Sequence, residues 1–398
     1  MKWHANLYRG ISTALEWIIH QNQKAEHVLN RLFTENKKWG KKDRTLVSGT
    51  VYDILRKLNL YQELTQYISG PRDKTEKILI AYLCLKNHIP EFIMLDEKIC
   101  PTIKQKAKEL ETNPIYKTGL PEWIYKEGEK TWKAEWLKIA LSLNQPAKPV
   151  LRINTLKIQP EKFKKIFYEK GYGFKETGLE EAIVLEKSYR LTNTIFYRKG
   201  WFEFQDLSSQ KAGKFIAPGK GDKVFDACAG AGGKTLQLAA LMNNTGEIYA
   251  ADISRAKLNV LKDRAKRAGV TNIKNIFVPG KNILENYRNY FDIVVVDAPC
   301  SGSGTYKRKP DLKWKWNPER FQQTIHLQKD ILDIYSETLK PGGKLIYITC
   351  SVLGKENREQ VKHFLERNKS FTFVKDMHLR PDTDRFDGFY MAKLLKNA

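Results

Sequence analysis

Residues 225–235 read FDACAGAGGKT, and the fold turns on what this run is. Its tail, Gly233-Lys234-Thr235, looks like the end of a phosphate-binding loop. A Walker loop needs a glycine five positions before the glycine of Gly-Lys-Thr, and that position holds Cys228. A dinucleotide fingerprint needs G-x-G-x-x-G. Gly230 and Gly232 fit it, but the third glycine would fall on Thr235. Both phosphate readings fail. What remains is an apolar strand ending at Asp226, a tight turn rich in glycine, and a helix.

The rhythm continues to the end of the chain. DKVFDAC, GEIYAAD, NIKNIFV, FDIVVVDA and GGKLIYITC read as apolar strands, separated by helical stretches over 235–243, 254–268, 318–340 and 355–368. That alternation predicts an α/β domain with a mostly parallel, doubly wound, Rossmann-like sheet, whose ligands sit at the carboxyl ends of the strands. The second strand ends at Asp252, 22 residues beyond Gly230. An acid at that place suits ribose hydroxyls, and glycines let the backbone approach a bulky ligand. A nucleoside cofactor without a pyrophosphate fits this pattern, and S-adenosylmethionine is the commonest of these.

Two cysteines fall at strand ends. Cys300 follows the fourth strand in VVVDAPCSGSG, and Cys350 closes the fifth in KLIYITCS. In a doubly wound sheet both thiols would lie near the cofactor loop, although most cysteines are simply small buried hydrophobes. Two thiols beside Asp297 suit one reaction. Carbon 5 of a pyrimidine is a poor nucleophile until a thiolate adds to carbon 6, which is covalent catalysis. A second thiol could assist the elimination that follows, and Asp297 could hydrogen-bond the base edge. Position alone leaves open which thiol attacks.

Ahead of this domain the pattern is different. Leu7, Ile11, Ala14, Leu15, Ile18 and Ile19 recur at helical spacing, as do Val47, Val51, Ile54, Leu55 and Leu58, and KILIAYLCL at 77–85 reads as a buried helix. Near 146 short strands appear, in KPVLRINTLK and AIVLEK, around a helix in PEKFKKIFYEKGY. The expected division is a helical domain over 1–140, a small α+β module over 141–204 and the doubly wound domain over 205–398.

The net charge is +24, spread over the whole chain: residues 1–200 carry 36 basic and 23 acidic side chains, and residues 201–398 carry 33 and 22. Two basic halves, with aromatics among the charges as in KRKPDLKWKW at 307–316, point to a phosphate-rich partner. The five cysteines are scattered without a CxxC pair, so neither a disulfide framework nor a zinc site is expected, and five reduced thiols are. The first residues lack a signal-peptide pattern and no run of about 18 apolar residues occurs. A cytoplasmic protein with no membrane association is expected.

Several motifs together resemble one family. DACAGAGGKT, YAADIS, DAPCSGSG followed by KRKPDLKW, PGGKLIYITCS followed by ENREQV, the closing DGFYMAKL, and GWFEFQDLSSQ at 200–210 are similar, in order, to the Sun/RsmB (Fmu) family of RNA cytosine-C5 methyltransferases. The match covers 140–398. KKDRTLVSGTVYDILRKLNL at 41–60 resembles, more weakly, the NusB-like RNA-binding domain of the bacterial rRNA members. The resemblance implies S-adenosylmethionine as methyl donor, held by Cys228, Ala229, Gly230, Ala231, Gly232, Gly233, Lys234 and Asp252. It implies that Cys350 attacks carbon 6, that Cys300 helps release the product, and that Asp297 contacts the target cytosine near the cofactor. It implies no metal, and a monomer acting on RNA, with 16S rRNA as the expected substrate and no role for DNA. Three departures stand out. Gly230-Ala231 replaces Ala-Pro, Gly280-Lys281-Asn282 stands where Gly-Asp is usual, and Arg358 stands where a Glu is common. The carboxylate expected near the adenine is therefore absent, with Asn282 in its neighbourhood.

A tRNA cytosine-C5 methyltransferase and a non-catalytic RNA-binding ribosome-assembly protein are the alternatives. Loss of either thiol would favour the latter, and both are present. An amino-group methyltransferase would carry Asn/Asp-Pro-Pro-aromatic after the fourth strand, where Asp297-Ala298-Pro299-Cys300 stands instead.

Overall fold

The computed structural model describes residues 3–278 and 281–398, and the side chains of all of these except 281–283. By its contacts the chain forms two units, Met1–Gln145 with Thr305–Pro318, and Pro146–Gly304 with Glu319–Ala398.

The first unit is helical. Helix Ala5–Ile19 buries Leu7, Ile11, Ala14, Leu15 and Ile18, and helix Lys41–Arg56 buries Val47, Val51, Ile54 and Leu55. Helix Lys74–Leu85, capped by Asp73, passes through the middle, with Ile78 to Cys84 buried on every side. An apolar surface on all faces is what a central helix shows. Helix Ile99–Leu110 packs beside it, and Cys84 and Cys100 are joined as a disulfide with Cα atoms 5.0 Å apart. This corrects the expectation of five free thiols. The bridge follows from two helix ends meeting in space, at a sequence separation of 16 that matches no metal or framework spacing.

The segment Thr305–Pro318 also belongs to this unit. Trp314 Nε1 donates to the Leu55 carbonyl at 2.7 Å. Lys313, fully buried, donates to the carbonyls of Arg56 at 2.9 Å and Gly119 at 3.2 Å and to the side chain of Asn144. Burial, with Arg56 and Lys57 nearby, pushes the Lys313 ammonium well down. The sequence suggested a basic surface here, but Lys307 and Lys313 are inside.

The second unit holds both sheets. The smaller comprises β1 (Val150–Ile153), β2 (Phe174–Glu176), β3 (Ala182–Leu185) and β4 (Phe202–Phe204), all antiparallel in the order β2-β3-β1-β4. Helix Pro160–Glu169 covers it with Phe163 and Phe167. The larger comprises β5 (Lys223–Asp226), β6 (Glu247–Asp252), β7 (Ile273–Phe277), β8 (Phe291–Asp297), β9 (Leu339–Thr349), β10 (Phe371–Leu379) and β11 (Phe389–Lys396). Its order is β10-β11-β9-β8-β5-β6-β7. The five strands expected from the sequence pair in parallel, and β11 and β10 add an antiparallel edge beyond β9. From β5 the chain winds outward through β6 to β7, then returns to the other side of β5 as β8. The reversal between β5 and β8 opens a crevice at their carboxyl ends, where such sheets bind ligands.

Candidate active site

The glycine turn follows β5 and opens helix Gly233–Leu241. Two of its glycines have left-handed backbone for different reasons. Gly230, at φ +56°, faces open space where a side chain would project. Gly232, at φ +84°, lies so close to Leu261 that a Cβ would strike it. Asp252 ties the turn to β6: its carboxylate accepts from Gly230 N at 3.0 Å and from Ser254 N at 2.8 Å.

Beside this turn is a cavity of 390 Å³, within the roughly 300–1,000 Å³ of small-molecule sites. Cys228, Gly230, Asp252 and Asp297 line its polar end, and Val278, Leu284, Leu327, Ile331, Ile334 and Tyr335 make an apolar wall. Ile253, 76% exposed, lines it too. An apolar wall next to a carboxylate suits an adenine and its ribose, and Gly230 leaves room for them. The residues present therefore fit S-adenosylmethionine. Of the expected cofactor residues, Cys228, Gly230, Asp252 and Asp297 reach the cavity wall, whereas Ala229, Ala231, Gly232, Gly233 and Lys234 shape the turn behind it. The carbonyls of Ala231 and Gly233 are held by Arg264 at 2.6 Å and Arg152 at 3.1 Å. Gly280 and the side chains of Lys281 and Asn282 lie outside the described residues. The wall residues on helix Pro318–Ser336 gave no motif in the sequence. Ile253 had a faint one, an exposed apolar residue directly after a strand-ending acid.

Charge is arranged asymmetrically around the turn. Asp297 accepts from Lys234 Nζ at 2.7 Å. Burial works against the Lys234 ammonium, but Asp297 outweighs it and the lysine is held above its ordinary range. Asp226 is 1% exposed and accepts from Thr235 Oγ1 at 2.7 Å through one oxygen, while the other has no partner among the described residues. Burial lifts its carboxyl to about 7. Burial and the carboxylates of Asp297, Asp226 and Asp252 push the Cys228 thiol well up, so it stays protonated and is a poor nucleophile.

Cys300 and Cys350 stand on the loops after β8 and β9, with their sulfurs 3.3 Å apart. The hydrogen bond to Cys350, then burial, pushes the Cys300 thiol well up, with Glu356 adding to the effect. The two loops are laced together: Gly304 N donates to the Cys350 carbonyl and Gly388 N to the Gly304 carbonyl, each at 2.9 Å. A Cβ on Gly304 would run into the backbone of Gly388, and a Cβ on Gly388 would strike the Val352 side chain, which explains both glycines, the second being that of the closing DGFYMAKL. A more open groove of 640 Å³ between helix Arg358–Arg367 and β10 holds none of these groups.

A crevice without a phosphate loop, a carboxylate set for a ribose and a thiol pair beyond it describe an enzyme that moves a methyl group. Fold and site define an S-adenosylmethionine-dependent methyltransferase. The profile described as 16S rRNA methyltransferase RsmB/F matches residues 214–395, and the RsmF/B-like ferredoxin-like domain matches residues 120–192. Ribosomal RNA small subunit methyltransferase B of Salmonella paratyphi B is 29% identical over 435 aligned positions, covering all of both chains. The crystal structure of PH0851 superposes with a TM-score of 0.83 over all of both chains at 23% identity, a likeness of fold. A methyltransferase homologue from Pyrococcus horikoshii superposes at 0.64 and 28% identity, over 71% of this chain and 97% of its own. The chain belongs to the Sun/RsmB family of RNA cytosine-C5 methyltransferases.

Proposed function

We propose that this enzyme methylates carbon 5 of a cytosine in small-subunit (16S) rRNA, with Cys350 as nucleophile and Cys300 as the group that completes release. The observation that carries the reading is the 3.3 Å approach of the two sulfurs on loops after neighbouring strands, with Asp297 at the end of one of those strands. The roles of the two thiols rest on their motifs: Cys350 stands in the Thr-Cys-Ser run and Cys300 in the Pro-Cys run, and the family resemblance gives attack to the first and release to the second. The Cys350 sulfur adds to carbon 6, the electron pair moves to carbon 5, and that carbon becomes nucleophilic. S-adenosylmethionine, held by Asp252 and the Gly230 turn, supplies an activated methyl group. With Cys350 tied up as a thioether, the hydrogen bond and charge that lifted Cys300 are gone, and Cys300 gives its proton to solvent more readily. Its thiolate then takes the proton from carbon 5, the pair restores the 5,6 double bond, and sulfur leaves carbon 6 as the Cys350 thiolate. The pair returns to its starting protonation. Asp297 hydrogen-bonds the base edge.

The basic helical part, over 1–140, and the antiparallel module, over 141–204, contribute RNA affinity in this reading. The enzyme works as a monomer in the cytoplasm, on RNA and not DNA. Among the described residues no helix is long and apolar enough to cross a membrane. The base must leave its stack, at a cost of roughly a few kcal/mol, which favours an exposed or loop cytosine. The test is adduct trapping. Cys300→Ala should methylate and then stall as a protein–RNA complex that survives denaturing electrophoresis, and Cys350→Ala should form none. The reverse pattern would exchange the two roles. Supplying small-subunit rRNA and tRNA separately identifies the substrate, and trapping on tRNA alone would replace the rRNA reading.

A further inference from the structure

The motif after the fifth strand, Glu356-Asn357, does not line the cofactor cavity, yet both side chains are fully buried. Glu356 holds mainly the Cys300 loop, with the Ser351 hydroxyl also near its carboxylate, and Asn357 holds the Cys350 strand end. The Glu356 carboxylate accepts from Ser301 N at 2.7 Å and from Ser301 Oγ at 2.5 Å, directly after Cys300, and Gln328 Nε2 donates to it at 3.2 Å. Asn357 accepts from Thr349 Oγ1 at 2.5 Å and donates to the Ser351 carbonyl at 3.0 Å, on either side of Cys350. Between the two loops Ser303 Oγ and Ser351 Oγ are 2.9 Å apart, and Val352 N donates to Ser303 Oγ at 2.9 Å. Tyr347 OH, donating to the Glu356 carbonyl at 2.8 Å, fixes the pair to β9. Arg358, the departure from the family pattern, turns away and pairs with Asp376 on β10 at 2.6 Å, so it leaves these contacts alone.

We infer that Glu356 and Asn357 are positioning residues that set the separation of the two thiols, Glu356 by fixing the Cys300 loop and Asn357 by fixing the Cys350 strand end. The inference rests on the two-cysteine reading above. Two adjacent side chains thereby serve different halves of one reaction: attack depends on Asn357, release on Glu356. A buried carboxylate is costly in this place. It is retained because a backbone N–H and a hydroxyl at one turn need an acceptor on each oxygen, which a carboxylate presents as a fork.

The test reads adduct and turnover separately in the full chain. Glu356→Ala should accumulate trapped methylated RNA, with turnover down at least tenfold and adduct formation preserved. Asn357→Asp keeps the shape but points an oxygen at the Ser351 carbonyl, and should slow adduct formation at least tenfold. Glu356→Gln keeps an acceptor for Ser301 N and should restore most of the release. It also decides the matter if the alanine variant does not fold: trapping by Glu356→Gln as strong as by Cys300→Ala would overturn positioning by the hydrogen bond. The same phenotype from Glu356→Ala and Asn357→Asp would reduce the pair to a general structural element and overturn the inference. Cys300→Ala is the control. If it does not trap, the cysteine roles fall; if it traps and Glu356→Ala does not, only the present inference falls.

Discussion

Replacing Asp226 by asparagine removes a charge at the place where the sheet meets the glycine turn. The folded carboxyl titrates at about 7 against an ordinary 3.8, a gap of about 3 units worth about 4 kcal/mol at about 1.36 kcal/mol per unit. The folded protein binds this proton more tightly than the unfolded chain does. Stability from this site is therefore highest below pH 4, falls as pH rises through the interval to 7, and is flat above it. The amide of the Asp226→Asn variant has no such slope and still accepts from Thr235. The stability of Asp226→Asn relative to wild type should rise by about 3 kcal/mol between pH 5 and pH 8. The wild-type curve alone would hide this. His378 is pushed down to about 4 by burial and by Arg358, so its contribution is present above pH 6.5 and lost below it, the opposite trend. Urea unfolding of both proteins at the two pH values cancels the histidine, which they share. Parallel stabilities would refute the reasoning, because a carboxyl that costs nothing to ionise is neither desolvated nor missing a partner.

Asp252→Ala should weaken S-adenosylmethionine binding by at least about tenfold in calorimetry, since an acceptor for the ligand and the anchor of Gly230 go together; unchanged affinity would remove Asp252 from the site. The log of RNA affinity should fall steeply with the log of salt, as counterion release requires, and a flat dependence would deny the basic surface its role. Thiol titration in denaturant should count three groups before reduction and five after it, because Cys84 and Cys100 are bridged; five from the outset would refute the bridge.

The five parallel strands were legible because strands covered on both faces are almost continuously apolar, as in Val294, Val295 and Val296. β10 escaped notice because it is an edge strand with Thr372 to Lys375 exposed, so its burial does not alternate. The glycine turn, Asp252 and both cysteines could be picked out by their places at strand ends, and the order of strands brings them together. Asp226 and Glu356 could not be read in the same way. What distinguishes them is burial among particular partners, and no spacing encodes that. Lys313 misled for the same reason: a lysine in a basic run has the composition of a surface, and only packing shows it inside.

The helical unit runs to Gln145 and is finished by a distant piece of chain, Thr305–Pro318. Inheritance is constrained by that arrangement. A gene cut after Gln145 and joined to a foreign partner would carry the carbonyls of Arg56 and Gly119 without the ammonium that caps them, and the Leu55 carbonyl without its indole. Recombination can move the unit only with its distant segment, so substitutions around Lys313 and Trp314 should drift in step with those near Arg56 and Asn144. The protein is two bodies in space and one cassette in heredity.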